Sequence, residues 1–191
     1  MDRKSLAAHL GAWHTAVILD PAQQHAAARA EIRRAASVRD VLMTRAFGHL
    51  LARLSGQDGS RPPAWQIEML ARCVLISARV PAVAFRGVSL GAVMGQAVDG
   101  RSAVSEMRAK ILFQSNHAGE AADRLRALLG VLNTRLGSRF KICPWDLIAA
   151  MSDWNARKSV WAMDYHMTSC LTHESLRSAA KTESYPEAQD A

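Results

Sequence analysis

Apolar residues recur along this chain at the spacing of one helix turn. Between residues 43 and 54 they fall at i, i+3, i+4, i+7, i+8 and i+11, which makes one continuous stripe of Met43, Ala46, Phe47, Leu50, Leu51 and Leu54. Ser37, with Asp40 three residues later, resembles a capping box in which Asp replaces the usual Glu. A second apolar stripe runs from Leu125 to Leu136. Both stripes predict amphipathic helices.

The same periodicity predicts further helices, at about 4–18, 22–36, 64–79, 102–115, 144–154 and 157–170. Strand signals are nearly absent. We therefore predict an all-α fold, a helical bundle of about eight or nine helices in two small subdomains. Asp99-Gly100 marks a turn and places the N-terminal subdomain at 1–99 and the C-terminal one at 100–171. Residues 172–191 have little to bury and are predicted to form a disordered tail.

The amino-acid composition limits the class to which this protein can belong. Hydrophobic residues make up 49% of the 191 residues, which is enough for a real core. No apolar run is long enough to cross a bilayer, and no signal-peptide core follows the N-terminus, so a cytoplasmic protein is expected. The cysteines Cys73, Cys143 and Cys170 stand far apart and are interpreted as reduced core thiols. No metal, cofactor or small-molecule site is predicted.

The net charge of +7 is unevenly distributed. Residues 168–191 hold two basic and four acidic side chains, a net −2, so residues 1–167 carry +9. Such an excess on a compact body favours a polyanionic partner. Arginine dominates over lysine, which suits phosphate recognition. Two alternatives stay open: a helical sequence-specific DNA-binding regulator, and a helical adaptor whose charge is incidental.

One segment matches a catalytic pattern. Gly87-Val88-Ser89-Leu90-Gly91 fits the G-x-S-x-G nucleophile elbow, which requires a sharp turn between a strand and a helix on a parallel sheet. The chain has no alternating strand–helix pattern to supply that sheet. The segment is therefore interpreted as a loop and helix start, with Ser89 capping or packing. We predict that the protein is not an enzyme.

Aromatic and basic residues are the remaining candidates for a site. The five tryptophans could stack on bases, but their helical spacing within apolar stripes favours the core. The basic residues lie on several predicted helices. The candidate nucleic-acid-binding residues are Arg33, Arg34, Arg108, Lys110, Arg126, Arg157 and Lys158.

Four segments resemble, in order, a known family, the CasB small subunit of the type I-E CRISPR Cascade surveillance complex. Ala30-Glu31-Ile32-Arg33-Arg34 resembles its A-x-[LI]-R-R, and Ser89-Leu90-Gly91 its S-L-G. Leu125-Arg126-Ala127-Leu128-Leu129 resembles its L-R-R-L-L helix. Trp154 followed by Val160-Trp161-Ala162-Met163-Asp164-Tyr165 resembles its closing W…[VL]-x-x-x-[DE]-[YF] pattern. The resemblance covers roughly residues 10–167.

This resemblance implies a non-catalytic, all-helical subunit without a cofactor. Its partners would be the target and displaced strands of target DNA, the guide RNA, a second copy of itself, and the backbone and large subunits of Cascade. It would stabilise the opened target DNA, the R-loop, in antiviral defence. The resemblance assigns backbone contacts first to Arg33, Arg34 and Lys158, and less directly to Arg108, Lys110, Arg126 and Arg157.

Overall fold

The computed structural model describes residues 2–20, 25–55, 61–84 and 89–183, with the last twelve of these described by backbone alone. Helices dominate, and the prediction of an all-α fold is confirmed. The elements in chain order are α1 (Arg3–Trp13), a π-helical segment (His14–Leu19), α2 (Ala26–Arg34), α3 (Val38–Leu42), α4 (Arg45–Leu54), α5 (Ala64–Ser77), α6 (Leu90–Gly95), β1 (Ala97–Val98), β2 (Arg101–Ser102), α7 (Glu106–Phe113), α8 (Ala118–Leu136), a 3₁₀ turn (Gly137–Arg139), α9 (Pro144–Ser152) and α10 (Trp154–Glu183).

Side-chain caps explain where several helices begin. The Ser37 hydroxyl accepts from the Asp40 N–H, and the Asp40 carboxylate accepts from the Ser37 N–H, so the predicted capping box is confirmed. The helix that it opens is short, however. α3 ends at Leu42, and Thr44 caps α4 by accepting from the Phe47 N–H at 3.2 Å. Met43 therefore lies off the predicted stripe, with 81% of its surface exposed.

One cluster of buried side chains extends from Leu6 to Tyr165. α5 contributes a long buried segment to it, because every residue from Met69 to Ser77 except Arg72 is buried. α5 packs against α8 and α9, while α1 packs against α9 and α4. β1 and β2 form a two-stranded antiparallel hairpin around Asp99 and Gly100, both with positive φ. The division into subdomains near residue 99 stays a prediction.

The contact between α6 and α10 depends on two glycines one turn apart. A Cβ atom on Gly91 would lie 2.1 Å from the Trp161 carbonyl oxygen, and one on Gly95 would lie 2.6 Å from the Tyr165 carbonyl oxygen. Glycine lets the two backbones approach this closely because it has no side chain. The second glycine of the G-x-S-x-G match therefore has a packing role.

The last helix is longer than predicted. α10 continues to Glu183, whereas the periodicity predicts an end near 170. The residues after Leu171 are mostly helix-compatible, and adding a residue to an existing helix costs far less than nucleating one. The predicted helix end is thus wrong. Residues 184–191 of the predicted tail lie outside the described residues.

The tryptophans are divided between core and surface. Trp13, Trp154 and Trp161 are buried, as predicted. Trp65 and Trp145 are 60% and 45% exposed, so the core interpretation is wrong for these two. Both are the second residue of their helix, where fewer neighbouring turns cover a side chain.

Candidate nucleic-acid interface

The C-terminus of α2 presents two of the predicted arginines. Ile32 is the buried residue of this helix, and the two positions that follow it, Arg33 and Arg34, are exposed. The Arg33 Nε lies 3.4 Å from the Ala78 carbonyl oxygen, which is longer than an ordinary hydrogen bond. No carboxylate among the described residues forms an ion pair with either arginine. Both side chains are therefore open to an external anion.

A third arginine, missed by the sequence analysis, holds this helix end in place. Arg79, just after α5, donates from one terminal nitrogen to the carbonyl oxygens of Arg33 and Ala35, at 2.8 and 2.6 Å. Its other terminal nitrogen donates to the Leu75 carbonyl oxygen at 2.9 Å. The last carbonyl groups of a helix lack partners within it, and a basic side chain can satisfy them. Arg79 therefore fixes the backbone from which Arg33 and Arg34 project.

Arg126 lies on α8, which packs against α5, and its positive charge acts on Arg79. Burial lowers the pKa of Arg79 below its ordinary value, and the positive charge of Arg126 lowers it further. The Arg126 Nε is itself buried and has no hydrogen-bond partner in the described part of the chain. We refer to Arg33, Arg79 and Arg126 as the arginine cluster. Two of these three, Arg33 and Arg126, were separate predictions from sequence, and Arg79 interacts with both: it donates to the Arg33 carbonyl oxygen and feels the charge of Arg126.

Arg33 and Arg79 border a groove of about 400 Å³ at the meeting of α2, α5 and α8, and Arg126 lies one helix turn before Gly130 of its lining. Its lining residues are Arg33, Arg79, Val80, Pro81, Leu129, Gly130 and Asn133. The Asn133 amide donates to the Arg79 carbonyl oxygen at 2.8 Å, which fixes the arginine backbone. The groove therefore combines positive charge with walls that carry no carboxylate.

α7 contributes a different basic surface. Arg108 and Lys110 are both exposed, but two residues on a helix point about 200° apart, so they do not share a face. Arg108 borders a second groove, of about 300 Å³, between α7 and α8. Arg124 lines the same groove, with its guanidinium bound to Glu120 at 2.6 Å and to the Ile111 carbonyl oxygen. The structure thus separates Arg108 from Lys110.

The last two predicted cations contact their own chain. Arg157 donates from Nε at 2.8 Å and from a terminal nitrogen to the Asp146 carboxylate, which is buried. Asp146 also accepts from the Leu90 N–H, so this pair joins α9 and α10 to the start of α6. The Lys158 Nζ lies 3.4 Å from the Ser115 carbonyl oxygen. Nucleic-acid binding by Arg157 stays a prediction, and three of its five N–H donors have no partner among the described residues.

Ser89 has a structural explanation. Its hydroxyl oxygen accepts from the Ala92 N–H at 3.2 Å and so caps α6, while the hydroxyl donates to the Asp164 carboxylate on α10. The interpretation of Ser89 as a capping residue is confirmed. Gly87 and Val88 of the same motif lie outside the described residues.

Other kinds of site receive no support from the described residues. They contain no group of three histidine, cysteine or acidic side chains placed to hold a metal ion. Their helices include none that is long and apolar enough to cross a membrane. The three cysteines are free thiols, of which Cys73 is buried and Cys170 exposed, so the prediction of core thiols is wrong for Cys170.

Comparison with known proteins places this geometry in a family. The family model of CRISPR-associated protein Cse2 matches residues 28–166, well over half of the chain. Neither a curated protein nor a solved structure matches the chain. The matched range contains the arginine cluster, both grooves and every predicted basic site residue.

Proposed function

This chain belongs to the CRISPR-associated protein Cse2 family, the small-subunit family of the type I-E Cascade complex, and we propose that it binds nucleic-acid backbone there and stabilises the opened target DNA. Binding through scattered cations suits contacts to phosphate, which carry no sequence information. The observation that carries the proposal is the arginine cluster. None of its three guanidinium groups forms an ion pair with a carboxylate in the described part of the chain.

The energetics of an opened duplex suit such a subunit. The guide–target heteroduplex is about as stable as the DNA duplex that it replaces, so modest contacts to the backbone tip the balance. A charge-assisted hydrogen bond to phosphate contributes on the order of 1 kcal/mol or more. A few exposed arginines are therefore sufficient, and no catalytic group is required.

The proposal extends to partners and roles. The nucleic acids are the target and displaced DNA strands and the guide RNA. The protein partners are a second copy of the chain and the backbone and large subunits of the complex. Arg33, Arg34, Arg108, Lys110 and Arg126 are assigned direct phosphate contacts. Lys158 and Arg157 are assigned contacts through the donors that their own chain leaves free.

The experiment is charge reversal in the reconstituted complex. Arg33, Arg34 and Lys158 are changed together to Glu, and opening of target DNA is measured as a function of salt concentration. A loss of about 1 kcal/mol per site is roughly a fivefold change in the opening equilibrium. The salt dependence should also become shallower, because each lost phosphate contact removes about 0.9 from the slope of log K against log salt.

A matched control separates local contacts from net charge. Arg3, Arg53 and Arg101 are exposed, lie outside the predicted site and change the charge equally when replaced by Glu. This control should open DNA much better than the site variant. Equal opening by the site variant and the wild type at moderate salt contradicts the phosphate contacts. Failure of the site variant to assemble would assign those residues to a protein interface, and a sharp preference for one duplex sequence would favour a DNA-binding regulator.

A further inference from the structure

We propose that two copies of this chain bind each other through an apolar stripe on the outer side of α10. The stripe consists of Met163, Met167 and Leu171, which recur at i, i+4 and i+8 and therefore share one face of the helix. The inference rests on the second copy that the proposed function includes, and it names the surface at which that copy binds.

The stripe lies on the side of α10 that faces away from the core. Trp161 and Tyr165 point into the core and are 0% and 2% exposed. Met163 and Met167 each follow one of these residues by two positions, which is a rotation of about 200° around the helix. The three side chains of the stripe are accordingly 56%, 58% and 63% exposed. Large apolar side chains that adjoin one another on a surface indicate an interaction site more strongly than single ones do.

The stripe and its exposed neighbours carry no fixed charge. The exposed residues between positions 159 and 171 are Ser159, Met163, His166, Met167, Cys170 and Leu171. Asp164, the acidic residue of this range, is partly buried and accepts a hydrogen bond from the Ser89 hydroxyl. A nucleic-acid backbone, or a protein partner that depends on ion pairs, therefore gains little from this face.

The charge of the chain favours a second copy at this face. Residues 1–167 carry a net charge of +9, so two copies repel each other when charged surfaces approach. The uncharged stripe offers a contact at which that repulsion is weaker. A contact with twofold symmetry places the same patch on both sides, so each apolar side chain meets a surface of its own character.

The position of the stripe along α10 suits such a symmetric crossing. α10 has 30 residues, or about 45 Å of helix, and the stripe spans its midpoint. Residues at i, i+4 and i+8 form one ridge, and two such ridges interdigitate when helices cross at about −50°. The flexible, polarizable side chain of methionine adapts easily to a copy of itself. Two α10 helices can therefore cross at their centres with the stripes in contact.

The size of the stripe predicts a weak dimer of the free chain. Three side chains with this exposure offer a few hundred Å² per copy, which is less than the roughly 800 Å² per partner of a stable complex. We therefore expect a Kd between about 1 µM and 1 mM. Within an assembly that holds both copies, the effective concentration strengthens the same contact.

The test compares two double variants of the purified full chain with the wild type. Met163→Lys with Met167→Lys places charges in the stripe. Met43→Lys with Met107→Lys is the matched control, because it makes the same chemical change at methionines that are 81% and 67% exposed elsewhere. Sedimentation equilibrium should give the wild type and the control similar Kd values. The Kd of the stripe variant should rise at least about 100-fold, because unpaired ammonium groups resist burial.

A thiol crosslink gives a second readout. Cys170 is exposed on the same side of α10 as the stripe, whereas Cys73 is buried. In a Cys143→Ser background, a short bismaleimide should join two chains through Cys170. The yield should be similar for the wild type and the control and much lower for the stripe variant. Equal yields from all three proteins would overturn the proposal.

The sedimentation results can overturn it in two further ways. A wild type that stays monomeric up to about 1 mM lacks the pairing that we propose. A control that dissociates as fully as the stripe variant would mean that net charge, and not the stripe, decides pairing. If the wild type is monomeric and the stripe variant fails to enter the reconstituted complex, the stripe binds a different subunit and the proposal is again wrong.

The number of copies in the reconstituted complex separates this inference from the proposed function. If the free chain pairs through the stripe but the complex holds one copy, the pairing stands and the second copy of the proposed function fails. If the complex holds two copies of the stripe variant, as it does of the wild type, and the free wild type is monomeric, the second copy stands and the pairing through α10 fails.

Discussion

Replacing Gly91 by Ala is a strict test of the α6–α10 contact. In a helix interior this change ordinarily stabilises a protein, by about 0.8–1.0 kcal/mol, because alanine loses less backbone entropy on folding. Here the new Cβ atom would lie 2.1 Å from the Trp161 carbonyl oxygen and 2.6 Å from its Cα atom. Backbone atoms cannot rotate away, so α6 must move outward by about an ångström. Overpacking of this kind typically costs 1–3 kcal/mol.

The matched control is Gly48→Ala on α4. Gly48 is also within a helix, but a Cβ atom there would meet nothing within 4 Å. We expect Gly48→Ala to stabilise the protein by up to about 1 kcal/mol and Gly91→Ala to destabilise it by about 1–3 kcal/mol. The same chemical change should thus have effects of opposite sign at the two positions.

The assay is urea unfolding at equilibrium, with the midpoint compared at constant m-value. If Gly91→Ala were as stable as Gly48→Ala, the two helices could not lie as close as described. The packing explanation of the G-x-S-x-G segment would then be refuted. We expect a Gly91→Ala protein that still folds to support DNA opening in the complex, since the role that we assign to Gly91 is packing.

Three further changes probe the same region by urea unfolding. Trp161→Ala should destabilise the chain by roughly 3–5 kcal/mol, because the ring is fully buried and packs edge-on against Trp154 at 5.5 Å; a cost below about 1 kcal/mol would contradict its burial. Ser89→Ala should destabilise the chain by about 1–2 kcal/mol through loss of the helix cap. DNA opening by the assembled complex should be unchanged. If a folded and assembled Ser89→Ala variant failed to open DNA, a chemical role for Ser89 would have to be reconsidered. Asp146→Ala should destabilise the chain by about 3 kcal/mol, at the low end for a broken buried ion pair because Arg157 is partly exposed. No change in stability would show that the ion pair is dispensable.

Local signals were predictable from sequence, and long-range ones were not. The capping box at Ser37 involves residues three positions apart, so the sequence alone predicts it. The break between α3 and α4 depends on Thr44, which caps α4. The sequence pattern does not reveal this cap, because Met43 fits the spacing of the apolar stripe that follows. Periodicity reports which residues suit a helix face, and it does not report whether one helix or two carry them.

The arginines show the same limit more sharply. Nothing in the local sequence separates Arg157, bound to an aspartate eleven residues earlier, from Arg34, which no carboxylate contacts in the described part of the chain. Arg79 escaped notice because its partners, the carbonyls of Arg33 and Ala35, lie 46 and 44 residues before it. Charge counts therefore predict the kind of partner, whereas the fold decides which cations are left to bind it.

Some arginines hold the fold and others remain open to phosphate, and this difference affects how strongly the protein should bind nucleic acid. Arg135 donates to the carbonyl oxygens of Val98 and Ser102 and so holds the hairpin, much as Arg157 holds α9 to α10. The positive charge of the chain is thus larger than the part available to phosphate. If every arginine were available, the protein would bind any nucleic acid tightly before a guide had paired with its target. Opening of target DNA by a matching guide is nearly balanced in free energy. A few exposed arginines therefore suffice to stabilise the opened DNA, and they do not open it without the guide.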